Sequence, residues 1–129
     1  MRVLIVEDEE SIRLVLQHYL RDGHLADVAV NGEQALEAFQ LAHQESDPYR
    51  VILLDIIMPG MDGLDALKAI RSMEKRMGIP EDREVKVLMI SAQNDHHCVC
   101  EAFFKGNASG YLVKPVERES LLECIGNFE

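Results

Sequence analysis

The chain has 129 residues, 47% hydrophobic but only 5% aromatic and without tryptophan, which predicts one domain, residues 1–129, with an aliphatic core. Its 23 acidic and 13 basic residues give a formal charge of −10, which repels phosphate backbones and argues against direct nucleic-acid binding. No apolar run approaches the roughly 20 residues of a membrane span, the N-terminus turns acidic too soon for a secretory signal, and three cysteines suggest reduced thiols, so the expected location is cytoplasmic.

Val3-Leu4-Ile5-Val6 reads as a buried strand, and Ile12, Val15, Leu16, Tyr19 and Leu20 then recur at helical spacing. The helix starts near Ser11 or Glu10 and stops at Asp22-Gly23. Leu25 to Val30 is a weaker, half-polar strand. Asn31-Gly32 marks a turn, after which Ala35, Leu36 and Phe39, extended by Ala42 or His43, form a second helical stripe. The third strand runs from Tyr49 to Leu54 and ends on Asp55. Met58-Pro59-Gly60-Met61-Asp62-Gly63 cannot continue it, because proline lacks a donor and glycines favour a tight loop.

Leu64, Leu67, Ile70, Met73 and Met77 mark a third helix, broken at Gly78-Ile79-Pro80. The charged run Glu74-Lys75-Arg76 through Glu81-Asp82-Arg83-Glu84 reads as a solvated face. Val85 to Ile90 is the fourth strand, ending at Ser91, and a fourth helix is expected from about Asp95 to Lys105. Gly106 and Gly110 bracket a turn into a short strand, Tyr111-Leu112-Val113, which Lys114-Pro115 ends. Leu121, Leu122 and Ile125 give a brief last helix, interrupted at Gly126. Strands alternating with helices predict an α/β fold: one five-stranded parallel sheet with five helices covering both faces.

In such a sheet ligands bind outside the carboxyl ends of the strands. Glu7-Asp8, Asp55, Ser91 and Lys114 follow four different strands, so they should converge on one rim. Three carboxylates near 4 Å apart repel by about 4 kcal/mol per pair at an effective dielectric of 20, so something positive must hold them. An oxygen-loving divalent cation answers this, and the lack of His or Cys at those strand ends favours Mg²⁺ over Zn²⁺. An anionic nucleophile, a hard cation, an ammonium and a hydroxyl together suit a phosphoryl group, with Asp55 as its acceptor.

Glu7-Asp8 after the first strand, Leu54-Asp55 with Met58-Pro59-Gly60-Met61-Asp62-Gly63, Ser91-Ala92 and Lys114-Pro115 together resemble the receiver domain of two-component response regulators. The resemblance, which covers essentially the whole chain, implies a flavodoxin-like fold with strand order 2-1-3-4-5 and a cis Lys114–Pro115 bond. It implies a phosphorelay switch in which Asp55 takes the phosphoryl group from phosphohistidine of a histidine kinase or phosphotransfer protein. Asp8 and Asp55 would ligate Mg²⁺ with Glu7 and the backbone carbonyl of Ile57. Lys114 would pair with phosphoryl oxygens, Ser91 would hydrogen-bond to one of them, and Tyr111 would turn inward as the switch. Signalling would pass through the surface near the fourth and fifth strands, to a downstream protein or a fused output domain, with the receiver a monomer or a phosphorylation-dependent dimer.

Ser91 stands where the family has threonine, which keeps the hydroxyl but loosens coupling to Tyr111. Ile57 and Gln93 sit where the family tunes the attacking water. An aliphatic Ile57 cannot orient one, so a long-lived phosphate is expected. His96 and Cys100 share a helical face, yet two ligands on one turn make a poor metal site. The short last helix favours a receiver taken from a longer chain over a stand-alone regulator. Two rivals remain. A phosphatase of the haloacid dehalogenase type would need a second Asp where Ile57 stands, and a flavin module would need a phosphate loop where Glu7-Asp8-Glu9-Glu10 would repel phosphate.

Overall fold

The structure, a computed structural model, describes residues 1–92 and 107–128. Five parallel strands, β1 (Arg2–Val6), β2 (Leu25–Ala29), β3 (Val51–Asp55), β4 (Lys86–Ser91) and β5 (Gly110–Val113), form one sheet in the order β2-β1-β3-β4-β5. Three helices, α1 (Glu10–Leu20), α2 (Gly32–Gln44) and α3 (Gly63–Arg76), and a C-terminal helix (Arg118–Gly126) pack around it. The fourth expected helix, from about Asp95 to Lys105, lies outside the described residues, as do Gln93, His96 and Cys100.

The aliphatic runs explain the layering. Successive strand side chains point to opposite faces, and a run without polar residues feeds two cores at once. Leu4, Val6, Ile52, Leu54, Val87 and Met89 meet Ala35, Phe39 and Ala42 of α2 and Ala66, Leu67 and Ile70 of α3. Val3, Ile5, Val51, Leu53, Leu88 and Ile90 meet Leu16 and Leu20 of α1 and Leu121 and Ile125 of the C-terminal helix. All five residues of β3 are buried. The half-polar β2 is an edge strand with Leu25 and Val28 exposed, which is why its sequence pattern is weak.

Two expectations need correction, the start of β3 and the solvation of the charged run, while the end of the last helix stands. Tyr49 and Arg50 precede β3 rather than opening it. The C-terminal helix ends at Gly126, where the sequence places its break. The charged run after α3 is not all solvated: Glu74 is 1% exposed and Arg71, one helical turn earlier, 8%. Arg71 donates to Glu74 (2.7 Å) and to the carbonyls of Val85 and Asn107, while Glu74 accepts from the Val85 amide (2.7 Å). A helical spacing of three brings the two charges together, and burial is tolerated because every partner is supplied. The pair ties α3 to the segments that lead into β4 and β5, at the amino-terminal end of the sheet.

Candidate functional site

The carboxyl ends of β1, β3 and β4 and the residue after β5 bring Glu7-Asp8, Asp55, Ser91 and Lys114 to one rim. Glu7, Asp8 and Asp55 each offer a carboxylate oxygen within 4.8 Å of the others, a group able to hold a metal ion. Glu7 is fully buried, Asp55 2% exposed, and Asp8 exposed. Lys114 Nζ lies 3.2 Å from Asp55 Oδ2 and 3.6 Å from Glu7 Oε2. The Lys114 amide donates to the Ser91 carbonyl (2.7 Å), so the ammonium is carried by backbone pairing with the end of β4. The Lys114–Pro115 peptide is cis.

The second Asp55 oxygen, Oδ1, accepts from the Ile57 amide at 3.3 Å, while the Ile57 side chain is 64% exposed on the rim. Glu7 Oε1 accepts from the Glu9 amide at 3.3 Å, but Oε2 is buried with no hydrogen-bond partner. A buried carboxylate oxygen short of hydrogen bonds is costly, and the Lys114 ammonium at 3.6 Å is an ion-pair partner beyond hydrogen-bond reach. Burial first, and then the neighbouring Asp55 charge, push the Glu7 carboxyl up to about 7, against the Glu9 amide and Lys114, which act to lower it. For Lys114 burial alone would lower the value, but Asp55 and Glu7 outweigh it and raise the ammonium above its ordinary 10.5. The orphaned oxygen and an all-oxygen donor set fit a hard divalent cation.

Ser91 is 2% exposed at the end of β4, one residue past the Ile90 that pairs with Asp55. Tyr111, opposite Met89 on β5, is 48% exposed. Sequence reasoning missed two residues. Gly63 opens α3, and a Cβ there would run into the carbonyl oxygen of Asp55 and come within 2.8 Å of the Ile56 Cα; its amide donates to the Ile56 carbonyl (2.8 Å). Asp-Gly after Met-Pro-Gly reads as a loop signal, which hides this close approach. Arg13 on α1 donates to the carbonyls of Glu7 and Asp8, and nothing in helical periodicity marks it.

The family model for the response regulator receiver domain matches residues 3–126. The chain belongs to that family. The chemotaxis protein CheY of Listeria monocytogenes is 33% identical over 125 residues, covering 97% of this chain and 95% of that protein. Among solved structures, the response regulator TrrA of Thermotoga maritima, in complex with Mg²⁺–BeF, is 31% identical with a TM-score of 0.78, covering 99% of this chain and 98% of that one. The receiver domain of Ssk1 of Saccharomyces cerevisiae, in a co-crystal with the histidine phosphotransfer signalling protein Ypd1, is 27% identical with a TM-score of 0.85, covering 99% and 88%. This receiver domain is a signalling module: the phosphoaccepting switch of a two-component system. The phosphatase and flavin readings are not favoured. No helix among the described residues is long and apolar enough to cross a membrane.

Proposed function

We propose that Asp55 is the phosphoacceptor of this receiver, served by phosphohistidine on a histidine kinase or a phosphotransfer protein, and that residues 1–129 act as one cytoplasmic unit. The observation that carries the assignment is the pairing of Asp55 with Lys114 at 3.2 Å beside two further carboxylates, at the carboxyl end of the fully buried β3. A carboxylate oxygen of Asp55 forms the new P–O bond as the P–N bond of phosphohistidine breaks and the imidazole leaves. Lys114, held against Asp55 Oδ2, would pair with the phosphoryl oxygens, and the Ile57 amide orients the carboxylate through Oδ1, so that Oδ2 attacks as Lys114 shifts its bond to the incoming group. Glu7, Asp8 and Asp55, with the Ile57 carbonyl, would hold Mg²⁺, which supplies positive charge opposite the phosphoryl group. Mg²⁺ is supported by the oxygen donor set and by the Mg²⁺–BeF complex of the related TrrA.

Phosphorylation replaces the single charge of the Asp55 carboxylate with the roughly two charges of an acyl phosphate, a net gain of about one, and adds acceptor oxygens at the rim, favouring the state that draws Ser91 and Lys114 inward and the half-exposed Tyr111 after them. Self-phosphorylation from small donors and slow loss of the phosphate are the only catalysis this reading requires. The output passes from the surface near β4 and β5 to a downstream protein or a fused output domain, as a monomer or a phosphorylation-dependent dimer. Intact mass after acetyl phosphate and Mg²⁺ tests the assignment: wild type should gain about 80 Da per chain and Asp55→Asn nothing. Uptake by Asp55→Asn, or none by wild type from acetyl phosphate or a phosphorylated donor, would overturn it.

A further inference from the structure

The junction between β1 and α1 carries two of the three clustered carboxylates, and among the described residues no hydrogen bond holds the carboxylate of Asp8. What holds the junction is its backbone. Arg13 Nη1 donates at 3.0 Å to the carbonyl of Glu7 and at 3.0 Å to that of Asp8. We propose that Arg13 is a positioning residue for the cation site, fixing the two peptide planes from which its ligands project. This rests on the reading of Glu7, Asp8 and Asp55 as the Mg²⁺ ligands.

The two carbonyls belong to the peptide planes on either side of the Asp8 Cα. Holding both fixes the backbone torsions that aim the exposed Asp8 side chain, although the carboxylate itself is unheld. The clamp also stiffens the turn in which the Glu9 amide grips Glu7 Oε1. Arg13 has a firm base for this, since its own amide donates to the Glu9 carbonyl (3.0 Å) and Leu16 and Leu20 root α1 in the core. Bonds from a guanidinium to neutral carbonyls are charge-assisted and stronger than neutral ones.

The need for a clamp follows from charge. Without a cation, three carboxylates within 4.8 Å repel, and the exposed Asp8 has water to turn to. Partners behind the ligands that orient them typically change metal affinity by about 10- to 100-fold. Arg13 is also a positive charge near the site, and charge alone would repel Mg²⁺. Positioning and repulsion therefore predict opposite signs when the guanidinium is removed.

Calorimetric Mg²⁺ titrations of the wild-type chain, Arg13→Met, Arg13→Lys and Asp8→Asn separate these cases. Methionine keeps an apolar stem and loses the donor; lysine keeps charge and donors on one nitrogen, which is all the observed geometry uses. Arg13→Met should bind Mg²⁺ about tenfold more weakly, with Arg13→Lys recovering most of the loss. Binding by Arg13→Met that matches or exceeds wild type would overturn the proposal, as would equal weakening in both variants. If Arg13→Met does not fold by circular dichroism, Arg13→Gln takes its place in the comparison. No Mg²⁺ binding by wild type would remove the metal reading and this proposal with it. Wild-type binding lost in Asp8→Asn but kept in Arg13→Met would remove this proposal alone.

Discussion

The two ends of the sheet each bury a charged group, and they treat it in opposite ways. At the amino-terminal end Glu74 has both oxygens engaged, by Arg71 and by the Val85 amide, and Arg71 bonds to three acceptors. At the carboxyl-terminal end Glu7 keeps one oxygen without a hydrogen bond, with Asp55 and Asp8 close by. Low dielectric strengthens a satisfied network and penalises an unsatisfied one, so the same burial gives a structural clamp at one end and a poised, destabilised site at the other. The lesson is that completeness of partners, rather than burial, separates structural charge from functional charge.

Removing one member of the satisfied pair should give the largest effect. Glu74→Ala leaves the Arg71 guanidinium buried without its anion and the Val85 amide without an acceptor, and should cost about 3–5 kcal/mol in urea denaturation. Glu74→Gln keeps an acceptor for the amide and should cost less. A loss below about 1 kcal/mol for Glu74→Ala would mean that the clamp contributes no more than a surface pair.

Glu7 should behave in the reverse sense. Its folded value, about 7, lies above the ordinary 4.5, so the native state binds the extra proton between the two and stability falls as pH rises through that window. Without Mg²⁺, about 2 kcal/mol should be lost between pH 5 and pH 7.5, and Glu7→Gln should flatten the slope, read from urea midpoints across pH. A slope unchanged by Glu7→Gln would mean that the carboxyl is not the group titrating.

Because the cation competes with that proton, Mg²⁺ affinity should rise about tenfold from pH 6 to pH 8, measured by calorimetry. A flat profile would assign the site to groups already ionised at pH 6.

The smallest effect concerns the lifetime of the phosphate. Ile57 is aliphatic and 64% exposed beside the acceptor, so it cannot orient an attacking water. Wild type should hold its phosphate for much longer than seconds, and Ile57→Gln should shorten the half-life by about threefold, under 1 kcal/mol of barrier. Decay within seconds in Mg²⁺ buffer would remove the idea.

The rim was largely legible in the sequence because apolar runs end on Glu7-Asp8, Asp55, Ser91 and Lys114 and parallel strands place their ends together, while the strand order came from the resemblance to receiver domains. The opposite end was hidden. Arg71 and Glu74 are ordinary surface residues by type, and only the approach of Val85 and Asn107, remote in sequence, makes their burial tolerable. Arg13 was hidden for a related reason: its acceptors are backbone atoms, which every residue has. The edge strand β2 was weak in sequence because only Ala29 of its five residues is buried.

Gly63 sets a mechanical condition on the acceptor. Its Cα fills the space behind the Asp55 carbonyl, leaving no room even for a methyl group, and its amide is bonded to Ile56. The backbone of Asp55 therefore stands against a backstop. A bulky group joined to the side chain cannot be absorbed by letting the strand recoil, so its volume and charge are delivered away from Gly63, toward the open face of the rim.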